Sequence, residues 1–448
     1  MNQRHPKRFS LPSSLVLTSV TALLGCSSLS SAQGSYYIQN VRVFTGTHVI
    51  ASTNVLTQGD SITDIGTNLQ APSGATIIDG SNKTLYPGLI DAHAHTFWPH
   101  ELQEALMFGV TTELGMFDSA ALLAYQACSA PATDRADLLG ATELATAPGG
   151  HGTQFGIPVT TLSATSQVPG FVDTRIAEGA HHIKIVLEDL SLFQATPVSS
   201  LNLNLLQALV QTTHDRGLLA VSHVTKLADA EMAVENNVDG LVHIPLDTVA
   251  TAQFARLANR KEAFVTPTLA VFHGADGANI GIEPRADARL SPWITPLMDT
   301  QLDAAFPPDF ADRWAFQIAL ESTHVLNEHE VPLLAGSDCS NPTTVHGATM
   351  HREMELLVYA GLTPVQALKA ATSNAAEHFR LKDRGYIRPG KLADMVLVNG
   401  DPTTDILATR DIAAIFRRGA LVNRAQLRTY LNTIPLPPAL PPAPPACP

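Results

Sequence analysis

The stretch Gly88-Leu89-Ile90-Asp91-Ala92-His93-Ala94-His95 decides the fold. Its apolar part is too short for a helix and reads as a strand buried on both faces, and it ends in two histidines spaced two apart. On a strand that spacing points both imidazoles the same way, so both can reach one ion. Runs of the same kind recur along the chain, and with the first at 88–92 they number eight: 111–115, 137–141, 182–187, 218–223, 240–244, 263–269 and 331–338. Amphipathic helical stretches separate them. Such alternation predicts parallel strands, and eight units over about 300 residues suit a closed (β/α)8 TIM barrel of the α/β class at 87–384. The closing helix has a clear start, with Thr363 as N-cap, Pro364 at the first helical position and Gln366 completing a capping box.

Outside this region the pattern changes. Short β-runs such as 38–44 and 76–79 fill 33–86, and runs at 394–398 and 412–417 fill 385–430. Neither piece alone has enough apolar surface for a stable domain, so together they predict one small β-sandwich built from both chain ends. Residues 1–32 read as a targeting segment: Arg4, Lys7 and Arg8 form a basic start, followed by a short apolar stretch at 11–25. Leu23-Leu24-Gly25-Cys26 resembles a lipobox, with Cys26 as the lipidated residue, and Ser30-Ser31-Ala32 offers ordinary cleavage before Gln33. Either route predicts export, as a periplasmic or outer-membrane lipoprotein or as a secreted protein. Residues 431–448 predict an extended Pro-rich tail.

Of the 448 residues 45% are hydrophobic and 15% charged, which predicts a large folded core, and the net charge of −13 argues against nucleic acid as a partner. The only membrane contact expected is a lipid at Cys26. The four cysteines, Cys26, Cys128, Cys339 and Cys447, fit no zinc-ribbon or disulfide framework, and a bridge from Cys128 to Cys339 or to Cys447 stays open.

Polar residues collect at the C-terminal ends of the predicted strands, where a barrel builds its site. They are His93 and His95 on the first, Lys184 in the fourth, His223 on the fifth, His243 on the sixth and Asp338 on the eighth. Singly, each has an ordinary reading: a core histidine, or an aspartate capping the next helix. A lysine inside an apolar run is less ordinary, because burying an ammonium is costly. Six such residues at the same end of successive strands are a set, and the set is the signal.

The longer stretch Thr84-Leu85-Tyr86-Pro87 through His95 resembles the opening signature of the amidohydrolase superfamily. Arg384-Gly385 through Pro389-Gly390-Lys391-Leu392-Ala393-Asp394 resembles the signature where such chains leave the barrel. The resemblance covers about 36–422 and is nearest to the branch of imidazolonepropionase-like proteins, prolidase-type dipeptidases and ochratoxinase. Gly149-Gly150-His151-Gly152 and His346-Gly347 fit that branch too.

The resemblance implies two divalent metal ions, expected to be zinc. His93, His95 and Asp338 would hold one ion, His223 and His243 the other, and Lys184 would bridge them as N6-carboxylysine. An ammonium cannot ligate a cation, whereas a carbamate is an anionic oxygen ligand. A hydroxide between the ions would attack the substrate, with Asp338 carrying the proton to the leaving group. His151 is expected to act on the substrate, and His346 and His273 are candidate substrate contacts. His181 and His182 are expected to be non-ligands, and Cys339 to be packing. Val242-His243-Ile244 departs from the Glu-His-Gly of many relatives, keeping the ligand but altering its surroundings.

The expected reaction is hydrolysis of a carboxamide in a small molecule that carries a free carboxylate, as in dipeptidases, carboxypeptidases and ochratoxin-type amidases. Lys226, Arg285 and Arg289 are the candidate cations for that carboxylate. A lactonase, a deaminase or a cyclic-imide hydrolase is the alternative, because one barrel hosts many chemistries. A non-catalytic binding protein is the remote one. The resembled family also makes a homo-oligomer an expectation.

Overall fold

The computed structural model describes residues 33–128, 131–275, 282–306 and 316–435. The targeting segment at 1–32 with Cys26, the tail from 436 with Cys447, and the side chain of Cys128 lie outside them. Cys339 is a free, buried thiol. No helix among the described residues is long and apolar enough to cross a membrane.

Strands β1 (Ser35–Phe44), β2 (Val49–Gln58), β3 (Ser61–Ile65), β4 (Thr76–Asp79) and β5 (Lys83–Pro87) come from the N-terminal part. The central region supplies β6 (Leu89–Ala94), β7 (Val110–Gly115), β8 (Asp137–Gly140), β9 (His182–Val186), β10 (Leu219–His223), β11 (Gly240–Val242) and β12 (Phe264–Thr266). The C-terminal part supplies β13 (Met395–Asn399), β14 (Ile412–Arg417) and β15 (Ala420–Leu421).

The first and last groups do join, as a single sheet in the order β15-β14-β13-β5-β1-β2-β3, with β4 parallel to β1. The segments expected to form a small β-sandwich join in one mixed eight-stranded sheet. It curls on itself: Ser61 bridges to Leu392, and the Ala393 N–H donates to the Asp60 carbonyl at 2.7 Å. Ile38, Val55, Ile62, Met395 and Phe416 fill the inside of the curl. Strand β5 passes through Gly88 straight into β6, so this sheet is fastened to the start of the central region.

The central strands are parallel throughout, in one sheet of β6-β7-β8 and another of β9-β10-β11-β12. Isolated parallel bridges connect what the ladders leave apart. Ala145 bridges to Ile185, Val265 to Leu333, and Ala94 to Cys339. The run at 331–338 is thus held between β12 and β6 by single bridges rather than by a ladder. Gly336 explains part of this close approach, since a Cβ there would stand 2.8 Å from His93 Cβ and 2.9 Å from its backbone nitrogen. Ile90, Leu114, Val221, Val242, Phe264 and Leu334, drawn from both sheets and this run, form one buried cluster separate from the helix-facing core.

An ion-pair clasp ties the C-terminal part to β8. Asp137 receives Arg384 at 2.7 Å, Arg418 at 2.8 Å and Arg417 more closely still, while Arg417 also reaches Asp394 at 2.6 Å. Arg417 is fully buried. Burial alone would raise the Asp137 carboxyl, but Arg417, Arg384 and Arg418 outweigh it and hold the group well below the usual carboxylate range. A depressed carboxyl stabilises the fold above its unfolded value near pH 4 and loses that contribution as pH falls through the folded value. Asp137→Asn is therefore expected to cost on the order of 3 kcal/mol at pH 7, because it leaves buried guanidinium charge short of a partner. Urea unfolding at pH 7 and pH 3 checks this: the gap between variant and parent should be widest at pH 7 and only begin to narrow at pH 3, which lies below the unfolded value but still above the folded one.

Candidate active site

His93 and His95 stand at the end of β6, and the turn after 331–337 brings Asp338 to them. Asp338 Oδ1 lies 3.2 Å from His93 Nε2 and 3.0 Å from His95 Nε2. The Nδ1–H of His95 donates to the Phe117 carbonyl at 3.1 Å, so in the neutral ring Nε2 presents a lone pair to the carboxylate. Two electron-rich atoms at that separation repel unless a cation lies between them. Ligand atoms of these three residues all fall within 4.8 Å of one another, a spacing suited to one metal ion.

His243, after β11, extends the group. Its ring centroid is 4.8 Å from that of His93 and 4.4 Å from that of His223 at the end of β10, and its Nδ1 is 2.7 Å from the Thr268 hydroxyl. Burial first, and then neighbouring imidazoles and Lys184, hold His93, His223 and His243 well below the ordinary histidine range. They are neutral, with lone pairs free for a Lewis acid. Both ring nitrogens of His93, Nε2 of His223 and Oδ1 of Asp338 are buried without a hydrogen-bond partner. Unsatisfied buried polar atoms of this kind cost about 1–3 kcal/mol each, and bound cations would satisfy the acceptors among them. The donor set is chemically suited to metal, and His93, His95 and Asp338 have the spacing for one ion.

Lys184 lines the same cavity from the middle of β9 and is 2% exposed. Burial pushes its amine down to about 7, against the opposing pull of the Asp338 carboxylate. A large fraction of the amine is therefore uncharged, and nucleophilic, at neutral pH. Backbone strain marks the site as well: His243, Thr268 and Asp338 have φ of 66°, 52° and 51°, in the left-handed region. Each such residue costs about 1–3 kcal/mol and persists where the surroundings over-determine it.

Supporting carboxylates escaped sequence reasoning. Asp91 accepts from the His93 N–H at 3.1 Å, the Ser337 N–H at 3.0 Å and the Ser337 hydroxyl at 2.5 Å, so it pins the two ligand-bearing strand ends together. Burial, then Glu113, raises its carboxyl to about 7. Glu188 lies 3.5 Å from His223 Nε2 and accepts from the Leu190 N–H at 2.6 Å. Continuing the period of two from Lys184 through Val186 reaches Glu188, a signal that was legible.

The structure distributes the other expected residues unequally. His151 lines the cavity, with its ring 5.0 Å from that of His223. The Gln154 amide donates to His151 Nδ1 at 2.7 Å, which places the neutral ring's proton on Nε2. His346 instead lies buried beneath the Asp338 turn, 2.7 Å from Glu113 and 3.2 Å from Cys339 Sγ. His273 is 3.4 Å from Arg352 and packs at a tilt against the Phe316 ring, outside the cavity lining. The three expected carboxylate binders are also outside it, each paired with acids. Lys226 grips Asp189 at 2.6 and 2.7 Å, Arg285 holds Asp299 at 2.6 Å and Asp303 at 2.8 Å, and Arg289 holds Asp287 at 2.6 Å. His181 and His182 pack on Phe379.

The cavity has a volume of about 550 Å³, and all six candidate ligands open onto it. Its remaining wall is largely aromatic and aliphatic, with Phe97, Phe117, Phe193, Phe272 and Phe306 among the lining residues.

Comparison with known proteins agrees with this architecture. A 68-residue stretch is 50% identical to imidazolonepropionase of Pyrobaculum arsenaticum, and it covers 15% of this chain and 17% of that protein. The fold resembles that of a Xaa-Pro dipeptidase solved with methionine in its active site, at 19% identity over 86% of this chain and 99% of that one, with a TM-score of 0.70. It also resembles A. niger ochratoxinase, at 16% identity over 87% and 96% of the two chains, with a TM-score of 0.67. These likenesses show a TIM-barrel-type α/β fold with an additional domain. The profile of the amidohydrolase family matches residues 84–422, from the strand that leads into His93 to the last strands of the C-terminal sheet. Because that span holds every candidate ligand and most of the chain, the protein belongs to the amidohydrolase family.

Proposed function

We propose that the protein is a metal-dependent hydrolase of carbon–nitrogen bonds, cleaving a carboxamide in a small molecule. The observation that carries this reading is the convergence of His93, His95, Lys184, His223, His243 and Asp338 on one cavity, with buried acceptor atoms left unsatisfied. In this reading the central strands and the run at 331–338 form a closed (β/α)8 barrel, and the ligands sit at its C-terminal mouth. His93, His95 and Asp338 would hold one divalent ion, and His223 and His243 a second. The imidazole-rich set favours zinc. Such ions, when bound, supply Lewis acidity at the substrate carbonyl and bring the pKa of water toward neutrality.

The chain's own residues do the rest. The uncharged Lys184 amine would add to carbon dioxide, forming a carbamate anion and releasing one proton, which turns a poor metal ligand into an anionic oxygen ligand. Asp338 takes the proton from the water nucleophile and delivers it to the departing nitrogen. His151 offers its Nε2–H to the substrate carbonyl oxygen. Export, with Cys26 as lipid anchor or cleavage before Gln33, belongs to the same reading.

The test is a panel of acyl amides, lactones and aminated heterocycles presented to protein purified with zinc and bicarbonate. Amides should be turned over, with activity lost on chelation and restored by zinc. Turnover confined to lactones or amines would move the protein to another reaction class. The stretch shared with imidazolonepropionase makes cyclic amides a necessary part of the panel.

A further inference from the structure

We propose that the cavity takes a neutral amide carrying an aromatic or branched apolar group, and discriminates against substrates with a free carboxylate. The proposal rests on the amide-hydrolase reading and specifies its substrate class. Among the described lining residues Lys184 is the only lysine and there is no arginine. Lys184 is already committed to the ligand group, and as a carbamate it would add negative charge rather than neutralise any. The neighbouring cation, Lys226, is spent on Asp189.

A carboxylate moved from water into such a wall finds no fixed cationic partner among the described lining residues, and an unpaired buried charge is strongly disfavoured. A carboxylate that reached bound ions would compete with the amide carbonyl for them. The whole chain, at −13, repels anions further.

The wall matches the opposite kind of ligand. Phe97 and Phe117 meet edge to face at 5.5 Å, leaving aromatic surface toward the cavity they line. Phe155 stands at the lining while 54% exposed, and its ring packs on that of His151 at 5.6 Å. An exposed phenyl group beside a pocket gives an apolar substrate its first contact. Gln194, Asn341 and Thr225 line the cavity without charge, and their donors are engaged by the Thr196 carbonyl, the Asp338 carbonyl and Glu188. About 550 Å³ suits a molecule with one or two rings.

The test uses a matched pair, N-benzoylphenethylamine and N-benzoylphenylalanine, which differ only in the carboxylate. With the zinc- and bicarbonate-loaded protein, kcat/KM for the neutral amide should exceed that for the acid at least tenfold. Equal values, or a preference for the acid, would overturn the proposal. If neither is hydrolysed, the hydrolase reading falls, and the Kd values of the same pair by calorimetry decide the substrate class separately. Tenfold tighter binding of the neutral compound supports the proposal; equal binding, tighter binding of the acid or no binding of either rejects it.

Discussion

Asp338→Asn is expected to lower kcat/KM by about a thousandfold, and up to 10⁴-fold, with the fold intact. The carboxylate has two tasks in this account, as an anionic ligand beside His93 and His95 and as the base and acid that moves a proton. An amide of the same shape can do neither. The substitution is chosen for its backbone as well. Position 338 has a φ of 51°, which asparagine tolerates about as readily as aspartate, so strain is not added. The result should appear mainly in kcat, with the thermal midpoint changed little. A loss of less than tenfold would remove Asp338 from the proton transfer.

Lys184→Ala is the second large effect. Without a bridging anion the second ion is held only by His223 and His243, and several kcal/mol of electrostatic assistance is lost, about 10³-fold in rate. The folded protein should not suffer, because a fully buried amine pushed down to about 7 is one the fold accommodates at a cost. The cavity left by the side chain admits small molecules, so acetate or propionate should restore part of the activity by returning an oxygen anion to the site. An uncharged analogue such as propionamide should not. Rescue by both, or by neither with full metal content, would argue that Lys184 acts other than as a carbamate.

Much of this was legible because a strand buried on both faces writes itself as an apolar run. Seven of the eight runs contain the strands β6 to β12, within a residue or two at their ends. The shift is larger at β12, where Phe264–Thr266 ends early and Leu269 begins a helix. The eighth run was read as a strand, yet it bonds to its neighbours through isolated bridges, since Gly336 must meet His93 closely and Asp338 turns away at positive φ. The candidate ligands were readable because a polar residue at a strand end stands out against its apolar run.

Pairing across long separations was not readable. Lys226 looks free in sequence until Asp189, 37 residues earlier, claims it. His346 looks like a loop histidine until Glu113, 233 residues earlier, holds it under the Asp338 turn. The strand order of the end-built sheet was hidden for the same reason. Local composition marks β5 and β13 as strands but says nothing of their antiparallel register, Leu85 opposite Leu397.

The most direct test of the central claim is metal content per chain, by elemental mass spectrometry, on protein purified without chelators. Two ions per chain, falling to one or fewer in Lys184→Ala, is the result expected of a pair bridged by a carbamylated lysine. One ion per chain, unchanged by Lys184→Ala, would contradict it.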